Sequence, residues 1–143
     1  MKPLNPSFDR EVEDSFRRQP IMKLIGARLC LVEPGVVEIT LPYRTDLVQQ
    51  NGYLHAGIVT TIADSACGYA AYTLMPAGSN VLSVEFKLNL LRPAQGETFV
   101  ARAEVIKAGK TLTVVRADVF AMNESDERRL VATMQGTMIC VRR

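Results

Sequence analysis

The stretch Q-Q-N-G-Y-L-H-A-G-I-V-T-T-I-A-D-S-A-C-G-Y-A-A, from Gln49 to Ala71, decides how the rest of the chain is read. It holds His55, the one histidine, followed by a segment of small and apolar residues. Between Asp46 and Glu85 the sole Asp, Glu, Lys or Arg is Asp64, in a chain that is 22% charged. From Ala56 to Leu74 apolar or small residues occur nearly all round a helical wheel, so the sequence predicts a helix that other elements must enclose. Ala63, Ala66, Gly68, Ala70 and Ala71 let strands or a second helix approach it closely. Met75-Pro76-Ala77-Gly78 is its stop signal.

On the C-terminal side four strand patterns follow in succession. In Val81 to Leu90, Leu82, Val84, Phe86, Leu88 and Leu90 alternate with Ser83, Glu85, Lys87 and Asn89, which predicts a long half-buried strand with the apolar set on one face. Thr98 to Lys107 carries Phe99, Ala101, Ala103 and Val105 on one face, and Ala108-Gly109-Lys110 connects it to Thr111 to Met122. Asn123 to Glu127 forms a polar loop before the last strand, Leu130 to Val141. On the N-terminal side, Phe8, Val12 and Phe16 recur every four residues in a helix capped by Ser7, and Pro20 interrupts it. Ala27 to Val32 and Val36 to Leu41 flank the turn sequence Glu33-Pro34-Gly35 and predict a hairpin. Strands in succession argue for an α+β domain, an antiparallel sheet wrapped around one long central helix, rather than βαβ units. The expectation is a single domain over residues 1–143, with a helical segment at 1–20.

At 143 residues and 48% hydrophobic, the chain can bury a real core. Net charge is +2 with no basic run interleaved with aromatics, which argues against a nucleic-acid partner. No apolar run reaches the roughly 20 residues of a membrane span, and Met1 to Arg18 lacks the apolar core of a signal peptide. Cys30, Cys67 and Cys140 are odd in number, widely spaced and set among apolar or small neighbours. They read as buried free thiols of a reducing compartment rather than a disulfide frame or metal site, so a cytoplasmic protein is expected.

Asp64 is the chemical question. At helical spacing its neighbours are Thr60, Thr61, Cys67 and Gly68, none of them basic, so no ion pair within the helix accounts for it. Two readings stand. Either Asp64 pairs with a remote arginine or emerges at an exposed helix face, or it is a carboxylate in an apolar cleft, poised as general base or nucleophile. His55 precedes Ala56-Gly57 at the start of the helix, where backbone N–H groups lack intrahelical acceptors. A carbonyl oxygen aimed at those groups would be polarised, as in an oxyanion hole. His55, the helix N-terminus and Asp64 together suit acyl chemistry better than any one alone.

These residues carry a family resemblance. L-H-A-G-I-V-T-T-I-A-D is similar to the H-G-G-x(6)-D motif of the hotdog-fold acyl-CoA thioesterases of the phenylacetate-pathway (PaaI-like) type. V-L-S-V-E-F-K-L-N-L-L-R-P-A resembles the strand after the central helix in that family, and the element order matches from about Phe16 to Val141. The resemblance implies hydrolysis of an acyl-CoA thioester with no metal and no redox cofactor. It places Asp64 on the catalytic carboxylate and Gly57 on the backbone N–H that polarises the carbonyl. His55 falls on the motif histidine, Ser83 on a strand serine that positions water, and Gln49 where relatives often carry Asn, with Asn51 as the nearby alternative. Ala56 departs from the motif's first glycine.

The resemblance further implies a homodimer with sheets paired edge to edge, associating into a dimer of dimers (a homotetramer). The site then lies at the subunit interface, Asp64 coming from one chain and the oxyanion donor from the other. For the CoA phosphates the candidates are Arg92, Lys107, Lys110, Arg142 and Arg143. Gly109-Lys110-Thr111 is placed best by the resemblance, with Glu85 and Leu90 as possible liners. A different class of function, a non-catalytic acyl-CoA-binding or sensor module on the same fold, is the alternative. A hotdog dehydratase acting on hydroxyacyl thioesters fits less well, since its histidine lies in a different motif.

Overall fold

Nine elements are present in the computed structural model, which describes residues 1–142; Arg143 lies outside the described residues. Helices α1 (Phe8–Arg17) and α2 (Pro20–Ile25) lead into a hairpin of β1 (Arg28–Glu33) and β2 (Val36–Pro42). The long helix α3 (Ala56–Tyr72) follows, then strands β3 (Ser79–Leu90), β4 (Thr98–Ala108), β5 (Leu112–Met122) and β6 (Arg129–Arg142). The strands form one six-stranded sheet in the order β1-β2-β4-β5-β6-β3, every pair antiparallel. β3, though third in the chain, is the outermost strand beside β6.

The sheet wraps α3, which packs against β2, β3, β4, β5 and β6. Val59, Ile62, Ala63, Ala66, Cys67 and Ala70 form its covered face, all essentially inaccessible. They meet Val37, Ile39, Leu41, Phe99, Ala101, Ala103, Val115, Ala117, Val119, Met134 and Met138 from the alternate positions of the strands. Each large side chain buried in this way stabilises the fold by about 1.5–3 kcal/mol. The alanines opposite one another on helix and sheet set how tightly the sheet closes. Thr73 ends the helix and is fully buried. Its Oγ1 donates to Ala70 O and accepts from the Gly35 N–H, both at 2.7 Å, tying the helix end to the β1–β2 turn. Gly35 has φ of +81°, a conformation that favours glycine, so the E-P-G turn signal is met.

Some sequence expectations change. The N-terminal segment is two helices where one interrupted helix was expected, and Pro20 restarts the chain as the second. Ser7 occupies the cap position of α1 but its side chain makes no cap bond; its N–H instead donates to Asn5 Oδ1. Cys67 is buried, but Cys140 is only partly so and Cys30 is exposed, its Sγ 3.0 Å from Thr40 Oγ1. Cys30 is exposed because its position in β1 turns it away from the helix.

The largest correction concerns β3. Its apolar residues do not share one face, because the pairing with β6 shifts register between Ser83 and Glu85. Ser83 lies opposite the buried Met138, on the helix side, whereas Leu82 pairs with Ile139 on the outer side. Val84 is the extra residue of a β-bulge. Beyond it, Phe86, Leu88 and Leu90 pair with Gly136, Met134 and Ala132 and face the helix, while Glu85, Lys87 and Asn89 face outward. In the single chain this strand is largely exposed: Leu82 is 59%, Val84 54% and Leu90 56% accessible.

Candidate active site

The less buried arc of α3, with Gly57, Thr61, Asp64 and Gly68, lies beside β3. Asp64 lies there, half-buried, and its Oδ1 accepts a hydrogen bond from Ser83 Oγ at 2.6 Å. A bond this short to a carboxylate is charge-assisted and fixes its orientation. Ser83 Oγ is also 3.4 Å from Met138 Sδ. The bulge after Ser83 makes the contact possible, since an unbroken alternation would have set Ser83 on the same face as Glu85 and Lys87.

Of the two readings of Asp64, pairing with a remote arginine is not found among the described residues. Thr60 and Thr61 do not serve the carboxylate either. Their hydroxyls donate to Ala56 O and Gly57 O, each at 2.8 Å, within the helix. Cys67, a turn further on, has its thiol pushed up to about 12 by burial and then by the charge of Asp64, so it is an inert neighbour rather than a nucleophile.

At the start of α3, His55 is the N-cap residue, and its Nδ1 accepts from the Gly57 N–H at 2.8 Å. The ring therefore carries its proton on Nε2 when neutral. A Cβ on residue 57 would lie 3.0 Å from His55 Nδ1, so glycine is what lets the imidazole fold over the helix end. Both residues are exposed. The N–H that the resemblance assigns to a carbonyl oxygen is thus held by His55.

Gln49 and Asn51 sit in the loop before the helix. The Gln49 side-chain oxygen accepts from the N–H groups of Asn51 and Tyr53, so this residue organises the loop and its amide nitrogen remains as a donor. The loop is anchored to the helix start, because His55 N–H donates to Leu47 O and Leu54 N–H to Ala94 O. Between these segments lies a cavity of about 390 Å³ lined by Gln49, Ala56, Leu90 and Arg92 together with apolar side chains. Leu91, Pro93 and Val131 also line it and were not singled out by the sequence; the signal for the first two was the R-P turn, which brings residues 91–94 against the helix start, and Val131 of β6 had none.

The remaining candidates are dispersed. Glu85 faces outward and its carboxylate accepts from Thr137 Oγ1 at 2.6 Å, so it lies across the sheet from Asp64. Gly109, Lys110 and Thr111 form the β4–β5 turn, held by Gly109 N–H to Leu112 O, and Cys140 N–H donates to Thr111 O. Arg92 N–H, by contrast, donates to Val131 O. Val131 and Cys140 are nine residue steps apart on β6, about 30 Å of strand, so Arg92 and Lys110 lie near opposite ends of β6.

A family model of the thioesterase superfamily matches residues 51–127, from the loop before His55 to the β5–β6 turn. The chain belongs to the thioesterase superfamily. A thioesterase family protein from Silicibacter pomeroyi superposes with a TM-score of 0.92 at 51% identity, over 95% of this chain and 99% of that one. The 1,4-dihydroxy-2-naphthoyl-CoA hydrolase of Listeria monocytogenes is 29% identical over 66% of this chain and 76% of its own length. The PaaI protein of the E. coli phenylacetic acid degradation operon shares the fold, with a TM-score of 0.84 at 19% identity over 96% of each chain. The thioesterase has the hotdog, PaaI-like architecture that its motif suggested, and its reaction class is thioester hydrolysis. Among the described residues no helix is long and apolar enough to cross a membrane.

Proposed function

We propose that this thioesterase hydrolyses acyl-CoA thioesters at a site completed by a second copy of itself. Gly57 N–H of one chain would polarise the carbonyl, and Asp64 of the other would drive attack by water or attack directly, with Ser83 setting the carboxylate. The observation that carries this reading is the separation of the two groups along α3. From Gly57 to Asp64 the helix rises about 10 Å, too far for one carbonyl group to touch both. The open edge of β3 offers the remedy.

α3 runs antiparallel to β3: the Tyr72 hydroxyl donates to Ser79 O at one level, and Asp64 meets Ser83 at another. The rise from Asp64 to Tyr72 is about 12 Å on the helix and from Ser79 to Ser83 about 13 Å on the strand, so the two keep pace. Because the bulge lets Ser83 to Phe86 span only two residues of β6, Gly57 lies about level with Lys87, next to Phe86, on that scale. Two β3 edges paired antiparallel about a two-fold axis near Val84 and Glu85 would set Ser83 of each opposite Phe86 of the other. Asp64 of one chain then comes level with Gly57 of its partner. The same pairing would carry the partner's β4–β5 turn toward this chain's Arg92, joining the CoA candidates that lie apart in one chain.

Acyl-CoA as the substrate is supported by the named CoA hydrolase among the relatives and by the mostly apolar cavity beside Ala56. Thiol release from a panel of acyl-CoAs tests the reading. Asp64→Asn is expected to lose about a thousandfold in kcat. Near-wild-type turnover by that variant would remove Asp64 from the mechanism.

A further inference from the structure

Between α1, the end of α3 and the start of β3 lies a second cavity, of about 530 Å³, that the motif residues do not use. Glu11, Asp14, Arg18, Tyr72, Gly78 and Ser79 are among the residues that line it. Asp64, Gly68 and Tyr72 follow one another at four-residue spacing on α3. The cavity therefore stands two turns beyond the carboxylate, along the same face of the helix.

The passage between them is open. Gly68 has no side chain, and a Cβ there would meet nothing within 4 Å. One wall is β3: Ser83 bonds Asp64 at one end and Ser79 O accepts from Tyr72 at the other. Val81 stands midway between them on the same side of the strand, packed against the core at the level of Gly68. The other wall is α1 with Gln19 just past its end. Three side-chain contacts hold it along α3, Glu11 with Tyr72, Ser15 with Tyr69 and Gln19 with Ser65. The passage is polar at both ends and apolar between.

Its far end has bonding capacity to spare. The Tyr72 hydroxyl has two acceptors for its one proton, Glu11 Oε2 at 3.1 Å and Ser79 O at 3.2 Å. Arg18 Nε donates to Asp14 O, and among the described residues its guanidinium forms no salt bridge. A hydroxyl group placed here can donate to Glu11 and accept from Arg18. A carboxylate would instead meet the charges of Glu11 and Asp14, and an alkyl end would take these groups out of water without replacing their bonds.

We infer that this cavity is a distal subsite for the acyl group and selects chains that end in a hydroxyl. The inference rests on the acyl-CoA reading and names the substrate class within it. An extended chain advances about 1.2 Å per bond, so the rise of about 12 Å from Asp64 to Tyr72 corresponds to about ten carbons. The subunit pairing proposed above, with Ser83 opposite Phe86, would set Leu90 of the second copy opposite Ser79 and close the passage on its open side.

Thiol release from butyryl-CoA, decanoyl-CoA and ω-hydroxydecanoyl-CoA provides the test. The wild-type KM is expected to be at least tenfold lower for ω-hydroxydecanoyl-CoA than for decanoyl-CoA, and Glu11→Ala should abolish that preference. Gly68→Leu, which puts a better helix former in the passage, should raise KM for decanoyl-CoA at least tenfold relative to KM for butyryl-CoA. Arg10→Gln, at an exposed position of α1, should leave both ratios as in wild type. Equal KM for the two long chains in wild type, or an unchanged preference in Glu11→Ala, overturns the subsite, while thiol release from butyryl-CoA leaves thioester hydrolysis intact. Calorimetric titration of Asp64→Asn protein with the two long-chain thioesters reads binding without turnover. A Glu11-dependent preference in affinity, with no hydrolysis by wild type, would support the subsite and sink the proposed reaction; equal affinities would overturn the subsite.

Discussion

The two edges of the sheet are built on opposite principles. β1 is six residues long, shifts register between Leu29 and Leu31, places Arg28 and Glu33 at its ends, and is packed by α1. Short length, a bulge, charge and a covering helix are the means by which an edge strand is kept from pairing with another chain. β3 is twelve residues long and exposes Leu82, Val84, Phe86 and Leu90. Its bulge does not close the edge; it turns Ser83 inward to Asp64. One edge is covered by the fold; the other is left open for the partner copy that the proposed site requires.

That contrast can be broken most directly at Val84. Val84→Lys places like charges close together at the proposed two-fold, and should weaken self-association at least a hundredfold in sedimentation equilibrium, with activity falling in parallel. Cys30→Lys, a change at an exposed position on β1, should leave association as it was. A wild-type chain that is monomeric and fully active would refute the two-copy site. Ser83→Ala leaves the edge intact but removes the bond to Asp64, and kcat should fall about ten- to a hundredfold with the oligomeric state unchanged. An unaltered kcat would make the serine a packing residue.

On the closed side the expected effects are on stability. Thr73→Val keeps the shape but strands the Gly35 N–H, at a cost of about 1–3 kcal/mol in denaturant unfolding. Glu38 on β2 gives the smallest effect. Arg128, its strongest hydrogen-bond partner, and then Arg102 hold its carboxyl below the ordinary value of 4.5 against the opposing effect of burial. A depressed folded value means that the contribution is present above pH 4.5 and is lost as pH falls through the folded value. Glu38→Gln should flatten that acid limb slightly, by less than about 1 kcal/mol since both arginines are partly exposed. Identical acid-unfolding curves for the two proteins would show that the cluster does not contribute.

Much of the fold was legible because the signals were local. The uncharged run around Asp64 announced an enclosed helix, and the E-P-G turn and the alternation in β4 placed their elements well. Asp64 stood out because nothing near it in sequence could neutralise it. The motif around His55 then tied it to acyl chemistry. Side-chain alternation failed in β3, because a bulge leaves no mark in a pattern of apolar and polar residues. Nor could the loop sequence show that His55 caps the very N–H it was expected to leave open.

What the sequence by itself determined is a helix N-terminus with His55 and Gly57, and one carboxylate further along the same apolar helix. Periodicity and the scarcity of charge were enough, since both act over a few residues. Only the tertiary structure decided what faces Asp64 and how far it lies from Gly57. Those depend on a register shift in β3, on its place at the sheet's edge, and on the fixed rise of a helix. These are properties of strands and helices brought together, and no single segment contains them.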